Sequence, residues 1–140
     1  ENMVSMKILI DSDVCIDFLT GRAPHFTYAQ KLFWKAENKQ LDAVVSQESF
    51  SNIFYVLRKF YPAENIITKL SEMRSLVGVT DLKGSVIDQA LDAGWSDFEN
   101  TIQYFYAIDS SCEAIITRNA RDYKKAKLQV FAPFEFIEQF

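Results

Sequence analysis

Asp11 is the residue of this sequence whose position most clearly suggests chemistry. It follows the strand-like run at residues 6–10 and directly precedes a helix-forming run at residues 14–19. In open α/β sheets, ligands bind in the crevice at the carboxyl ends of the strands, so a carboxylate at this junction is expected to face a ligand. A purely structural role does not explain the desolvation cost of a carboxylate that ends a buried strand.

Further carboxylates and amides are predicted to reach the same crevice. They are Glu48, Asn52, Asp97, Asn100, Asn119 and Asp122. Hard divalent cations take oxygen ligands, and Mg²⁺ needs only one or two protein carboxylates alongside water and phosphate. A pair of such ions can activate a water molecule and stabilise the leaving oxygen of a phosphodiester. The pattern therefore predicts a divalent-cation site.

Each of these residues also has a purely structural interpretation. Asp13 can cap the first helix through its side-chain oxygen. Glu99 can complete a capping box that begins at Ser96, and negative charge at a helix start is stabilised by the helix dipole. The polar residues of the third helix can be surface decoration, and those of the loop after the last interior strand can form turns. The two interpretations predict different side-chain partners.

A basic segment follows the last interior strand. The net charge of the chain is −4, which does not by itself indicate nucleic-acid binding. Contacts to a phosphate backbone need only a local basic patch, and residues 118–127 provide one. We predict that Arg118, Arg121 and Lys124 contact nucleic acid, with a solvated loop as the alternative.

The composition predicts one globular domain over residues 1–140, with residues 1–5 as an extension or an expression remnant. Hydrophobic residues make up 49% and charged residues 24% of the chain, which is ordinary for a soluble domain. The sequence has no long uncharged apolar run and no basic region followed by an apolar stretch at its start. We therefore expect neither a membrane span nor a secretory signal.

The cysteines and the histidine exclude several kinds of site. Cys15 and Cys112 lie within apolar patterns, which predicts buried thiols in a reducing, cytoplasmic environment and no disulfide. His25 is the single histidine, and neither a second histidine nor a catalytic serine lies near it. A zinc site or a serine triad is therefore not expected.

Strand patterns alternate with helix patterns along the chain. Strands are predicted at 6–10, 43–45, 77–80, 114–117 and 129–131. Helices are predicted between them, with ends at Gly21 and Gly94 and starts at Asp13, Ser46 and Ser85. A long helix is predicted from Ser96 to about Ser110, and Pro133 opens the last one. Strands separated by helices imply right-handed crossovers, hence a three-layer α/β/α sandwich around a mostly parallel sheet.

The sequence resembles PIN-domain proteins, a family of metal-dependent nucleases often found as the toxins of bacterial toxin–antitoxin pairs. The resemblance runs from Lys7 to about Phe136. It depends on four segments, namely I-L-I-D-S-D-V at 8–14, residues 45–57, D-F-E-N at 97–100 and T-R-N-A-R-D-Y at 117–123. The last segment fits a T-R-N-x-x-D-[FY] pattern of one branch of the family. The resemblance implies a Mg²⁺ or Mn²⁺ pocket, single-stranded RNA as substrate, an antitoxin partner and a homodimer.

The acidic residues of the family map onto this sequence with changes. The first family acid matches Asp11. The second falls on Asn52, the third on Asn100 and the fourth on Asn119, so three family acids are amides here. Amides still ligate hard cations through oxygen, although they bring less charge.

Nearby carboxylates are expected to supply the missing charge. Glu48 and Asp97 lie one turn before two of the amides, and Asp122 lies three residues beyond the third. The resemblance thus implies that Asp11, Asp97 and Asp122 are catalytic. The predicted metal ligands are Asp11, Asp97, Asn100, Asn119 and Asp122, and the predicted supporting residues are Asp13, Glu48, Asn52 and Glu99.

Two other functions remain open from the sequence. The amide-rich pocket can belong to a non-catalytic module that binds RNA or a protein without cutting. Asp11-Ser12-Asp13 also resembles the opening D-x-D of haloacid-dehalogenase-type phosphatases, in which the first aspartate is a nucleophile. No later lysine and paired-acid motif accompanies it in this chain.

Overall fold

The computed structural model describes residues 5–123 and 125–140, which form four strands, seven α-helices and one 3₁₀ helix. The strands are β1 (Met6–Ile10), β2 (Leu41–Val44), β3 (Ala114–Ile116) and β4 (Gln129–Phe131). The helices are α1 (Ser12–Thr20), α2 (Phe26–Glu37), α3 (Gln47–Leu57), α4 (Ala63–Arg74), α5 (Gly84–Ala93), α6 (Phe98–Asp109) and α7 (Pro133–Gln139). The 3₁₀ helix spans Ala120–Tyr123.

The four strands form one sheet in the order β2-β1-β3-β4, and every neighbouring pair is parallel. In the register of the sheet, Leu9 of β1 lies opposite Val44 of β2 and Ile115 of β3. Parallel neighbours end at the same edge, so the carboxyl ends of β1 and β3 lie side by side. The predicted α/β architecture with a parallel sheet is confirmed.

Helices cover both faces of the sheet. On one face, Ile8 and Ile10 of β1 pack in a core that includes Ile53 of α3, and all three side chains are fully buried. On the other face, Leu9 packs with Tyr106 of α6. Burial of an aliphatic side chain of this size contributes about 1.5–3 kcal/mol, which is why strands covered on both faces are almost continuously apolar.

The predicted strand at residues 77–80 is wrong. Gly78 alone bridges to Val44 of β2, through backbone hydrogen bonds with the residues on either side of Val44. Two residues later, the backbone N–H of Thr80 donates to the hydroxyl of Tyr106 at 2.8 Å, and that hydroxyl donates to the Thr80 carbonyl. A side chain of α6 thus replaces the neighbouring strand as the backbone's partner, and pairing stops.

Three helices begin one or two residues away from the predicted starts. Asp11 caps α1 in place of Asp13, because its carboxylate accepts from the Ser12 N–H at 2.8 Å. Asp97 caps α6 in place of Ser96, with its Oδ1 accepting from the Asn100 N–H at 3.1 Å. Helix α5 begins after Lys83 and not at Ser85. The predictions that Ser46 caps α3, that Pro133 opens α7, and that helices end at Gly21 and Gly94 are confirmed.

Over residues 5–123 and 125–140, the structure contains no helix of the length and apolarity that crossing a membrane requires.

Candidate functional site

A cavity of about 200 Å³ opens at the carboxyl edge of β1 and β3. The start of α1, one face of α3, the first turns of α6 and the loop after β3 meet there. Its lining residues are Asp11, Ser12, Asp13, Ile16, Glu48, Ser49, Asn52, Glu99, Asn100, Gln103 and Asn119. We call this cavity the acidic pocket. The structure therefore brings together seven of the nine residues that the sequence suggested for a metal site and its surroundings.

Asp11 lies at the centre of the acidic pocket and is 8% exposed. Its Oδ1 accepts from the backbone N–H of Ser12 at 2.8 Å and from Nε2 of Gln103 at 2.9 Å. Its Oδ2 accepts from the hydroxyl of Tyr123 at 3.0 Å. Three donors from three different elements therefore fix this carboxylate in place and offset the desolvation of its charge.

Gln103 is a pocket residue that the sequence analysis did not single out. Its Nε2 also lies 3.1 Å from the Ser49 hydroxyl, so the amide is oriented by two acceptors. Its Oε1 is buried and has no hydrogen-bond partner among the residues that the structure describes. An orphaned buried oxygen is costly, and it is expected where a water molecule or an ion completes the site. The available signal was helical spacing, because Gln103 lies one turn after Glu99 and Asn100.

Asp13 contacts the loop after β3. Its Oδ2 accepts from the backbone N–H of Arg118 at 3.0 Å, and Nδ2 of Asn119 lies 3.4 Å from the same oxygen. Burial, and then the negative charge of Asp11, raise the pKa of Asp13 to about 6. The Oδ1 of Asp13 also accepts from the Val14 N–H at 2.8 Å, and these donors oppose the rise in pKa only in part. The N-cap of α1 is Asp11 and not Asp13.

Glu48 of α3 and Glu99 of α6 approach the pocket from opposite sides. Burial raises the pKa of both, and the charge of Glu99 is the next cause for Glu48. For Glu99, the next causes are the charges of Asp97 and Asp11. Neither carboxylate accepts a hydrogen bond from another described residue, so the predicted capping-box role of Glu99 is wrong. This crowding of negative charge is relieved by a cation or a proton.

Asp97 and Asp122 lie outside the acidic pocket. They line an adjoining cavity of about 390 Å³, which we call the second cavity, together with Gly94, Trp95, Ser96, Arg121 and Lys125. Asp97 points along the start of α6, where it caps the helix. A 3₁₀ helix has three residues per turn, so adjacent side chains point in different directions. Tyr123 is buried against Asp11, and Asp122 is consequently exposed. Of the three predicted catalytic carboxylates, the acidic pocket contains Asp11.

The three predicted nucleic-acid contacts have different surroundings. The guanidinium of Arg118 makes a bidentate pair with Asp17, with Nε to Oδ2 at 2.7 Å and Nη2 to Oδ1 at 3.3 Å. Asp17 is 1% exposed and is shared with Arg22. Arg118 therefore ties the loop after β3 to α1. Arg121 lines the second cavity. Lys124 lies outside the described residues.

The donor set of the acidic pocket fits a hard dication that keeps part of its water. Among residues 5–123 and 125–140, no three Asp, Glu, His or Cys side chains are placed to hold one ion together. Mg²⁺ and Mn²⁺ do not need three, because amide oxygens, water and phosphate complete the shell around one or two carboxylates. The unpaired Oε1 of Gln103, beside Asp11, is the oxygen that fits this requirement best.

The fold and the pocket define a class of protein. It is an α/β protein with a parallel sheet between helical layers and an acidic site where open sheets bind ligands. The sequence pattern of the PIN domain matches residues 7–121, and the chain therefore belongs to the PIN domain family. This membership confirms the resemblance seen in the sequence and excludes the phosphatase alternative.

Several known proteins are similar to this chain over most of its length. Ribonuclease VapC1 from Aquifex aeolicus is 21% identical, over 98% of this chain and 97% of the relative. The structure of VapBC-1 from nontypeable Haemophilus influenzae superposes with a TM-score of 0.70 at 13% identity, covering 92% of this chain and 99% of that one. The Mycobacterium tuberculosis toxin VapC20, described as cleaving the sarcin–ricin loop, superposes with a TM-score of 0.63 at 11% identity, covering 77% and 86%. At these identities, the structural similarity establishes a shared fold.

Proposed function

We propose that this PIN-domain protein is a metal-dependent ribonuclease that hydrolyses single-stranded RNA in the acidic pocket. The observation that carries the proposal is the buried, unpaired Oε1 of Gln103 beside Asp11, in a pocket where Glu48 and Glu99 repel each other. The name of the Aquifex relative and the activity stated for VapC20 support the same function.

The residues of the acidic pocket have distinct roles in this proposal. Asp11 at the end of β1 and Gln103 of α6 would hold Mg²⁺ or Mn²⁺. Either Glu48 of α3 or Glu99 of α6 would add a second carboxylate, with Asp13, Asn52, Asn100 and Asn119 around the ion. When bound, the dication supplies positive charge that stabilises the phosphoryl oxygens of the reacting phosphodiester.

The protein itself contributes the orientation of the carboxylates. Asp11 cannot rotate without breaking its bonds to Ser12, Gln103 and Tyr123. Asp13 is held by the Arg118 backbone N–H, so it stays on the pocket side of α1. Preorganised groups of this kind need no rearrangement at the moment of reaction, which is the main way enzymes stabilise developing charge.

Cleavage of single-stranded RNA in the presence of Mn²⁺ tests the proposal. The parent protein is expected to cut, and Asp11→Asn is expected to lose most of the activity because it removes the best-ordered carboxylate. Asp81→Asn serves as the control, since Asp81 is exposed and does not line the acidic pocket. Equal cleavage by the parent and by Asp11→Asn would assign the activity to another site or to a contaminant.

An antitoxin partner and a homodimer are part of the same proposal. Similar solved structures include VapBC toxin–antitoxin assemblies, such as those from Haemophilus influenzae and Rickettsia felis. Co-expression with the product of the neighbouring gene, followed by light scattering of the purified complex, tests both. The expected result is co-purification with a small protein that inhibits cleavage, and a mass for the isolated chain twice that of one copy.

A second function is a binding module that does not cut RNA. The observation that favours it is that both oxygens of Asp11 already accept hydrogen bonds, while Asn52, Asn100 and Asn119 bring no charge. RNA binding without cleavage, and a melting temperature that millimolar Mn²⁺ does not raise, would support it. A ligand that binds the native state must stabilise that state.

A further inference from the structure

The second cavity contains charges of both signs that lack partners in the described part of the chain. Arg121 and Lys125 form no ion pair there, and Asp122 accepts no side-chain hydrogen bond. Asp97 uses its Oδ1 for the helix cap, which leaves its Oδ2 available. The two cations would repel a dication, and the two carboxylates would repel a free anion. A ligand with both an anionic group and N–H donors satisfies all four residues.

Trp95 adds a stacking surface to this cavity. Its indole packs against Tyr104 with a centroid distance of 5.1 Å and against the edge of Tyr123 at 6.4 Å. These contacts fix the plane of the ring, and Trp95 also lines the second cavity. Nucleobases stack on aromatic side chains in most single-strand binding sites, because every base has a π face.

The second cavity and the acidic pocket have no lining residue in common, but both are lined from the start of α6 and from the segment after β3. Asp97 accepts from the backbone of Asn100, whose side chain lines the acidic pocket. Asp122 is adjacent in sequence to Tyr123, whose hydroxyl donates to Asp11. An RNA strand with one phosphate in the acidic pocket would therefore bring a neighbouring nucleotide towards the second cavity. At about 390 Å³, this cavity is within the size range of small-ligand sites.

We propose that the second cavity is a nucleotide subsite that selects bases with an exocyclic amino group. Arg121 and Lys125 bind the phosphate, and the base stacks on Trp95. Asp97 and Asp122 accept from the amino group, which cytosine and adenine carry and uracil lacks, just as acidic side chains accept from cytosine N4 in DNA complexes. That the ligand is part of an RNA strand rests on the proposed ribonuclease function. The binding itself requires neither metal nor cleavage.

Fluorescence of Trp95 tests the subsite directly. In a Trp34→Phe background, Trp95 is the remaining tryptophan, since the chain has two. Titration with 5′-CMP and 5′-UMP in EDTA is expected to give saturable quenching, with CMP binding about fivefold more tightly than UMP. Quenching that does not saturate, or equal affinity for CMP and UMP, would overturn the proposal.

Matched variants separate the two kinds of contact. Arg121→Gln is expected to lower the affinities for CMP and for UMP by the same factor, about threefold, because Arg121 contacts the phosphate that both ligands carry. The double variant Asp97→Asn, Asp122→Asn is expected to remove the preference for CMP; asparagine is as good a helix cap as aspartate, so α6 is retained. Lys31→Gln, an exposed charge on α2, is the control and should change neither affinity. A preference for CMP that survives in the double variant would also overturn the proposal.

The outcomes for the subsite and for the ribonuclease are distinguishable. Asp11→Asn should bind CMP as the parent does, because Asp11 does not line the second cavity. If CMP binds selectively and RNA is not cleaved, the ribonuclease proposal fails and the subsite stands. If RNA is cleaved and CMP does not bind, the subsite fails alone.

Discussion

Asp11 illustrates how much support a single buried carboxylate needs. Its donors come from α1, α6 and the 3₁₀ helix, and the last of them is 112 residues away in sequence. A carboxylate with charge-assisted hydrogen bonds to neutral donors stays ordered without an adjacent cation. The carboxylate of Asp11 is therefore oriented by hydrogen bonds and not by an ion pair.

Tyr123→Phe tests the contribution of the third donor. Removing the hydroxyl leaves Asp11 Oδ2 without its described partner, so the free energy of unfolding should fall by about 1–3 kcal/mol. Urea denaturation measures the change. Tyr28→Phe is the control, because Tyr28 is 37% exposed. This substitution should lower the free energy of unfolding by about 0.5 kcal/mol or less. Equal effects of the two substitutions would show that Tyr123 does not stabilise Asp11.

Asp13→Asn should stabilise the protein in a pH-dependent way. Burial, and then the charge of Asp11, raise the pKa of Asp13 from 3.8 to about 6 in the folded state. Because the folded value is the higher one, ionised Asp13 opposes folding, and stability falls as pH rises from about 4 through about 6. We expect Asp13→Asn to raise the melting temperature by about 3–6 °C near pH 8, with a smaller gain near pH 4.5. The same gain at both pH values would contradict this account.

For individual residues, the sequence predicted which ones reach the acidic pocket better than it predicted their hydrogen-bond partners. Asp11 was predictable because it ends an apolar strand. Gln103 was missed because an amide within a helix has no distinctive charge or motif, and its importance depends on the Oε1 that tertiary packing leaves unpaired. Asp122 was predicted in the acidic pocket from its distance along the sequence and from the T-R-N-x-x-D-[FY] resemblance, whereas the 3₁₀ turn directs Tyr123 towards Asp11 instead.

Helix α1 and the loop after β3 form one structural unit through Asp17 and Arg118. The pair is bidentate, and Asp17 is almost fully buried. The same loop places the Arg118 backbone N–H on Asp13. The guanidinium that the sequence suggested for phosphate binding thus holds two walls of the acidic pocket together.

Arg118→Met should destabilise the protein more than Arg22→Met. The first leaves Asp17 with a single, more exposed partner, for a loss of about 2 kcal/mol by urea denaturation. The Arg22 side chain is 54% exposed, and exposed pairs contribute about 1 kcal/mol or less. If Arg118 instead contacts phosphate, Arg118→Met will leave stability unchanged and reduce the salt dependence of RNA binding.

Element order was predictable, and element boundaries were less so. All four strands of the sheet were expected, because short apolar runs bounded by turn residues are distinctive. The error at residues 77–80 arose because a hydroxyl of α6 takes the place of a strand, which no local pattern reveals. The caps at Asp11 and Asp97 were missed because Ser12, Asp13 and Ser96 are equally good capping residues, and the backbone conformation decides between them.

Elements that are far apart in the sequence form the acidic pocket. Its walls come from α1, α3, α6 and the loop after β3, which the parallel sheet brings to one edge. Because such a pocket does not exist in the unfolded chain, a cation that binds it stabilises the entire fold. In the absence of the cation, burial and then repulsion by neighbouring carboxylates oppose the ionisation of Glu48 and Glu99 and raise their pKa.

The double variant Glu48→Gln, Glu99→Gln should therefore show two opposite effects. In EDTA it should melt above the parent, because the raised pKa values mean that both charges oppose folding near neutral pH. In millimolar Mn²⁺ its melting temperature should rise by less than that of the parent, because the variant retains fewer charged ligands. Thermal melts at matched ionic strength measure both. An equal Mn²⁺ shift in the two proteins would place the ion elsewhere.

The most direct measurement is the anomalous difference map of crystals soaked in Mn²⁺. We predict a manganese peak in the acidic pocket, ligated by oxygens of Asp11, Gln103 and one of the two glutamates. The map also tests the second cavity, where Arg121 and Lys125 should exclude a dication. No peak in the acidic pocket, or a peak only beside Asp97 and Asp122, would contradict the account.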